Sequence, residues 1–217
     1  MIKCAIFDLD GTLVNSIDDL GLATDYVLKQ YGKEPKWTTD DYRLFVGNGA
    51  KKLVERAFEH KLSPAELEKA YEMFKKKYNE ILLDHAHLYD GIKEQLDILK
   101  QKGIKIAVNS NKRGDYTSAL VNKYFSQFPW TAVYGERESE GIPKKPDPSA
   151  ALEIADLMKL PKEEILYIGD SKTDMQTGQN AGMDTIGVSW GFRGRKELEE
   201  NHASYVVDHP EDILKFI

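Results

Sequence analysis

Asp8 and Asp10 close the first apolar run of the chain, in Phe7-Asp8-Leu9-Asp10-Gly11-Thr12-Leu13-Val14. Two carboxylates two residues apart on an extended segment point to the same side and repel each other unless a cation or proton lies between them. Gly11 allows a sharp turn directly after them. Alone, an Asp-x-Asp pair is an ordinary strand-ending surface feature, but three further places add to it. Ser110, in Val108-Asn109-Ser110-Asn111-Lys112, carries a hydroxyl that can hold a phosphate oxygen beside free backbone N–H groups or cap a helix; taken alone, the cap is the commoner use. Lys145 lies in Pro143-Lys144-Lys145-Pro146-Asp147-Pro148, where a rigid backbone can aim a point charge at a phosphate, surface decoration being the alternative. Asp170 and Asp174, in Ile168-Gly169-Asp170-Ser171-Lys172-Thr173-Asp174, add two more carboxylates, with Asp174 equally placed to serve as an acid in the first turn of a helix.

Four carboxylates brought to one place repel one another, and hard oxygen donors of this kind are what Mg2+ takes. A divalent ion together with Lys145 would offset most of that charge. The same balance suits phosphoryl transfer, whose transition state spreads negative charge over oxygens that a metal and a lysine can stabilise.

Short apolar runs at Cys4 to Phe7, Ile104 to Val108, Ala132 to Tyr134, Ile165 to Ile168 and Thr185 to Val188 read as strands buried on both faces. Helical patterns separate most of them, such as Ile92, Leu96 and Leu99 before Gly103, then Tyr116, Ala119, Leu120 and Tyr124. Strand and helix in alternation imply a parallel sheet covered on both sides, with its chemistry at the carboxyl ends of the strands, where the acids fall. The stretch from about Ser16 to His85 breaks the alternation with successive helical patterns. Ser16 with Asp19 is expected to form a capping box ahead of Ile17, Leu20, Ala23, Val27 and Tyr31, and Ser63-Pro64 with Glu66 opens another helix.

With 217 residues the chain is long enough for one catalytic body with an insertion, and its 41% hydrophobic and 30% charged residues describe an ordinary globular protein. No apolar stretch approaches the roughly 20 residues that cross a bilayer, and no signal-peptide pattern opens the chain, so no membrane partner and a cytoplasmic location are the expectation. Cys4, the single cysteine, has no intrachain disulfide partner and reads as a buried thiol. A formal charge of −6 speaks against general nucleic-acid binding but leaves a small phosphorylated substrate open. Monomer and homodimer are both compatible with the sequence.

Asp8-Leu9-Asp10-Gly11-Thr12-Leu13, Ser110, Lys145-Pro146 and Gly169-Asp170 with Asp174 resemble, in order and setting, the four motifs of the haloacid dehalogenase-like hydrolases. Within them, Phe45-Val46-Gly47-Asn48-Gly49-Ala50, Ser110-Asn111-Lys112, Lys145-Pro146-Asp147-Pro148 and Val188-Ser189-Trp190-Gly191 are most similar to the phosphoglycolate phosphatase-like group, from which Asp90 and Ser110 depart where proline and threonine are more frequent. The resemblance implies an α/β fold, a Rossmann-like parallel sheet core over residues 1–15 and 86–217 with an inserted all-helical cap domain over 16–85. It implies a phosphatase in which Asp8 attacks phosphorus. Asp10 protonates the leaving alkoxide and then takes a proton from water; it must be protonated in the first step, a form its anionic neighbours favour. Mg2+ is expected on Asp8, Asp170 and the backbone carbonyl of Asp10, with Asp174 ligating directly or through water. Ser110, Asn111 and Lys145 are expected to grip the phosphoryl group, and Gly47 and Asn48 to contact the remainder of a small phosphorylated metabolite. A β-phosphoglucomutase-like phosphomutase, a pyrophosphatase or a 5'-nucleotidase would share this centre. A phospho-accepting signalling switch also clusters aspartate, hydroxyl and lysine, but without a large helical insertion.

Overall fold

A computed structural model describes residues 1–217. The chain divides into two compact units, one of residues 1–14 with 88–217 and one of residues 15–87. The chain crosses from one to the other twice. At the crossings, after the first strand β1 (Cys4–Phe7), Val14–Asn15 (β2) and His87–Leu88 (β3) form a separate two-stranded sheet.

Between the crossings lie four helices, α1 (Ile17–Gln30), α2 (Thr39–Phe45), α3 (Ala50–Ala57) and α4 (Pro64–Ile81). The apolar positions at helical spacing face inward: Ile17, Leu20, Ala23 and Val27 of α1 are buried, as are Ala70, Phe74 and Tyr78 of α4, and the two helices pack together. Ser63 and Glu66 form the expected capping box. The box expected from Ser16 and Asp19 does not form. Ser16 is the N-cap residue of α1 but makes no side-chain capping bond, because Asp19 is fully buried and its carboxylate accepts from the backbone N–H groups of His85 (3.0 Å) and Ala86 (2.8 Å). Asp19 thus serves two backbone amides instead of the one at the helix start, and leaving the buried Ala86 amide unpaired would cost about 1–3 kcal/mol.

The other unit continues with α5 (Ile92–Gln101), β4 (Lys105–Arg113), α6 (Gly114–Phe125), β5 (Trp130–Glu136), α7 (Ser149–Met158), β6 (Ile165–Gly169), α8 (Lys172–Ala181), β7 (Asp184–Val188), α9 (Gly194–Glu200) and β8 (Tyr205–Val207). Its six strands stand in the order β5-β4-β1-β6-β7-β8, with every neighbouring pair parallel. β1 is central, and all four of its residues are buried, which explains its unbroken apolar sequence. On one face Cys4, Ile6, Ala107, Ile165 and Tyr167 pack with Ala151, Ile154 and Ala155 of α7 and Ala181 of α8. The alanines keep helix and sheet close.

Register decides where the chemistry falls. Phe7 stands opposite Val108 on one side and Ile168 on the other, so the residues after each of the three arrive at one edge. The Asp8 amide extends the ladder by donating to the Ile168 carbonyl at 2.8 Å. β4 runs on past that edge, with a register shift between Asn109 and Arg113.

Candidate active site

Asp8 follows directly on β1 and is 8% exposed. Its Oδ1 lies 2.9 Å from the Nζ of Lys145, which also donates to Asp174 Oδ1 at 2.7 Å. The other oxygen of Asp174 accepts from the Ser171 hydroxyl (2.6 Å) and amide (3.1 Å), so Asp174 closes a capping box on α8 while it pairs with the lysine. Both readings of Asp174, helix-start acid and cluster member, are thus realised in one side chain. Asp170 follows β6, and its Oδ2 accepts from the Phe192 amide at 2.7 Å. Asp8, Asp170 and Asp174 each offer a carboxylate oxygen within 4.8 Å of the others, and all three are buried.

Two anions at such a separation repel by roughly 3–4 kcal/mol at an effective dielectric of about 20. One lysine does not neutralise three. Burial raises the pKa of Asp8 from its ordinary 3.8 to about 7, with Lys145 opposing the shift and Asp174 and Asp10 adding to it. Burial, then Asp174 and Asp8, hold Asp170 well above the usual carboxylate range. Burial alone would lower the Lys145 ammonium, but Asp174 and Asp8 outweigh it and keep the group protonated far above its ordinary range. The cluster is therefore short of positive charge, and could take a hard cation.

The backbone around Lys145 is clamped. Asn111 Oδ1 accepts from the Lys145 amide at 2.9 Å, and its Nδ2 donates to the Lys145 carbonyl at 3.1 Å. The Lys145–Pro146 peptide bond is cis. Ser110 is buried, and its Oγ accepts from the Lys112 amide at 3.3 Å. It caps no helix, because β4 continues through Arg113 and α6 starts at Gly114 with Arg113 as its N-cap. Asn109 donates to the hydroxyl of Tyr167 at 3.0 Å, tying β4 to β6 behind the cluster.

Asp10 parts company with the other acids. Its carboxylate lies outside the three-carboxylate group and is bonded by Lys112. The Asp10–Lys112 pair spans 102 residues, and no local spacing in the sequence announces it. The segment after β7 is the other unforeseen contributor. Trp190 donates its indole N–H to the Thr12 carbonyl at 3.1 Å, and Gly191 packs so tightly that an added Cβ would stand 2.2 Å from the Asp170 Cβ and 2.4 Å from the Gly11 carbonyl.

Gly47 and Asn48 belong to the helical unit, in the loop between α2 and α3. Gly47 and Gly49 take positive φ, and Arg56 braces the loop by donating to the Phe45 carbonyl (2.6 Å) and to Asn48 Oδ1 (2.7 Å). The nearby cations Arg43, Lys51 and Lys52 form ion pairs with Asp40, Glu68 and Glu55.

Residues 5–188 match the family model described as haloacid dehalogenase-like hydrolase. The phosphoglycolate phosphatase of Psychrobacter arcticus is 32% identical over 212 residues, covering 94% of this chain and 90% of that protein. The phosphoglycolate phosphatase of Pseudomonas syringae pv. tomato is 32% identical over 213 residues, covering 95% and 76%. The crystal structure of a candidate phosphoglycolate phosphatase from Lactobacillus delbrueckii subsp. bulgaricus superimposes with a TM-score of 0.91 at 33% identity, over 99% of this chain and 98% of that one. No helix of the chain is long and apolar enough to cross a membrane.

Proposed function

Because this chain belongs to the haloacid dehalogenase-like hydrolases and is a phosphatase of that family, we propose that it hydrolyses small phosphate monoesters, phosphoglycolate first among them, through an aspartyl-phosphate on Asp8. The observation that carries the reading is the buried group of Asp8, Asp170 and Asp174 around Lys145 at the end of the central strand. The donor set fits Mg2+: three hard carboxylate oxygens close together, with one lysine against them, are stabilised by a dication. Asp8, Asp170 and Asp174 with the Asp10 backbone carbonyl would hold it. When bound, it would supply Lewis-acid stabilisation of the phosphoryl oxygens.

The chain's own groups carry the remaining work. A carboxylate oxygen of Asp8 forms a bond to phosphorus as the ester P–O bond breaks, and the Asp10 proton goes to the departing alkoxide. Water then attacks the same phosphorus, the bond to Asp8 breaks, and a proton from that water passes to Asp10, restoring both groups. Lys145 stays protonated throughout and faces the transferring group. The Ser110 hydroxyl and the Asn111 amide hold phosphoryl oxygens, while the Asn111 side chain keeps Lys145 in place. We assign selection of the ester beyond its phosphate to residues 15–87, with Gly47 and Asn48 as the contacting loop.

Asp8→Asn tests the covalent route. The folded variant should lose turnover by about three orders of magnitude or more, an amide being a poor nucleophile. Acid-quenched wild-type enzyme should carry one phosphoryl group on the peptide containing Asp8. Near-normal phosphate release by Asp8→Asn would end the proposal. A phosphate-release screen with Mg2+ over phosphoglycolate, pyrophosphate, nucleoside monophosphates and sugar phosphates fixes the substrate.

A further inference from the structure

Lys112 lies beyond the apolar part of β4, yet its side chain is 5% exposed. Its Nζ stands between the two oxygens of Asp10, 3.1 Å from Oδ1 and 3.0 Å from Oδ2. Its backbone is tied as well as its ammonium. The Lys112 amide donates to Ser110 Oγ at 3.3 Å, and its carbonyl accepts from the Thr117 hydroxyl of α6 at 3.3 Å. A lysine held so at both ends defines a point in space for its ammonium, and a carboxylate bonded through both oxygens is left one orientation.

Asp10 needs such a constraint. Its side chain is 19% exposed, the least buried of the four acids, and rotation about χ1 would otherwise swing the carboxyl toward solvent or toward the Asp8 cluster. A group that donates a proton in one step and accepts one in the next must stay within about 2.6–3.2 Å of the oxygen it serves. We infer that Lys112 is a positioning residue for the phosphatase reaction: its paired bonds hold the Asp10 carboxyl group in the orientation from which it exchanges protons with the leaving oxygen and with water. The inference rests on the reading of Asp10 as acid and base. It extends the site to a second lysine, bonded to Asp10.

The leaving group separates this role from simple structural support. The alkoxide of phosphoglycolate needs a proton as it departs, whereas 2,4-dinitrophenolate does not. In the full-length enzyme with Mg2+, Lys112→Met should slow enzyme phosphorylation by phosphoglycolate by about 100-fold, the scale of one general acid, with KM little changed. The burst of dinitrophenolate from 2,4-dinitrophenyl phosphate should keep its rate within about threefold, and the turnover that follows it should slow, because water attack also needs Asp10. The double variant Asp10→Asn with Lys112→Met should be no slower than Asp10→Asn alone, as expected of two residues acting through one group. Should Lys112→Met not fold, Lys112→Gln carries the same comparison. Equal losses on both esters, wild-type rates on both, or multiplied losses in the double variant would overturn the assignment. If Asp10→Asn itself slows both burst rates alike, Asp10 is not the acid, and both readings fall. If Asp10→Asn separates the two esters and Lys112→Met does not, only the role of Lys112 falls.

Discussion

Asp8 is asked to be an anion in a place that burial makes poor for anions. In the metal-free protein its pKa stands near 7, and that of Asp170 is also raised. Both carboxyls therefore bind protons in the folded chain at pH values where the unfolded chain has already released them. The folded state holds more protons, so stability must fall as pH rises, from the ordinary carboxylate value through about 7. Thermal unfolding in chelator should accordingly show a midpoint that drops by several degrees between about pH 5 and pH 8. Mg2+ should restore it, more strongly at pH 8 than at pH 5, because protons and metal compete for the same oxygens. The slope should flatten in Asp8→Asn and in Asp170→Asn. A metal-free midpoint that rises over this range would show that the cluster does not carry the strain assigned to it. Cys4 is inert by the same logic: burial pushes its thiol up to about 12, so it is no nucleophile at neutral pH.

Among the elements, the turn after β7 governs the metal end of the site without supplying a ligand. Gly191 lies against Asp170 and the Gly11 carbonyl, and neither neighbour is a flexible side-chain end that could give way. Gly191→Ala must push the turn outward and break the Phe192 amide bond to Asp170. The expected result is Mg2+ affinity lower by about 10–100-fold, read from the metal dependence of activity and from calorimetry, with a smaller loss of stability. Gly114→Ala, whose added methyl meets nothing within 4 Å, is the control and should be neutral. This turn was visible in the sequence only as Val188-Ser189-Trp190-Gly191, because a contact from residue 190 to residue 12 leaves no local pattern. Burial on both faces writes a legible apolar run at Cys4–Phe7, Ile165–Gly169 and Asp184–Val188, whereas β5, expected to be buried on both faces, is only partly buried at most of its positions. β4 extends beyond the apolar run that ends at Val108, because the polar residues Asn109 to Lys112 are buried and hydrogen-bonded. β8 was missed: Tyr205–Val207 is a three-residue edge strand whose first residue is exposed. The Asp19 error has the same root, since a local capping pattern lost to partners 66 and 67 residues away.

For the whole molecule, the division into two units separates reaction from selection under the proposed function. Asn48→Trp should then lower kcat/KM for phosphoglycolate by about tenfold or more relative to p-nitrophenyl phosphate, within the range that pocket contacts supply. Equal losses on the two esters would leave residues 15–87 without a selecting role. Arg56 braces Phe45 and Asn48 from within the same unit.

The strand order has a consequence for the growing chain. β1 leaves the ribosome first, but its partners are β4, beginning at Lys105, and β6, beginning at Ile165. Residues 15–87, which make their contacts among themselves, are complete before either partner has been made. The strand that precedes Asp8 thus has both edges unpaired until β4 has been made, a state that invites pairing with foreign strands. Its sequence is only four residues long before the acids begin, too short to template a stable ladder by itself. The brevity of β1 and the charges that follow it protect the nascent chain until Asp170 and Asp174 have been made.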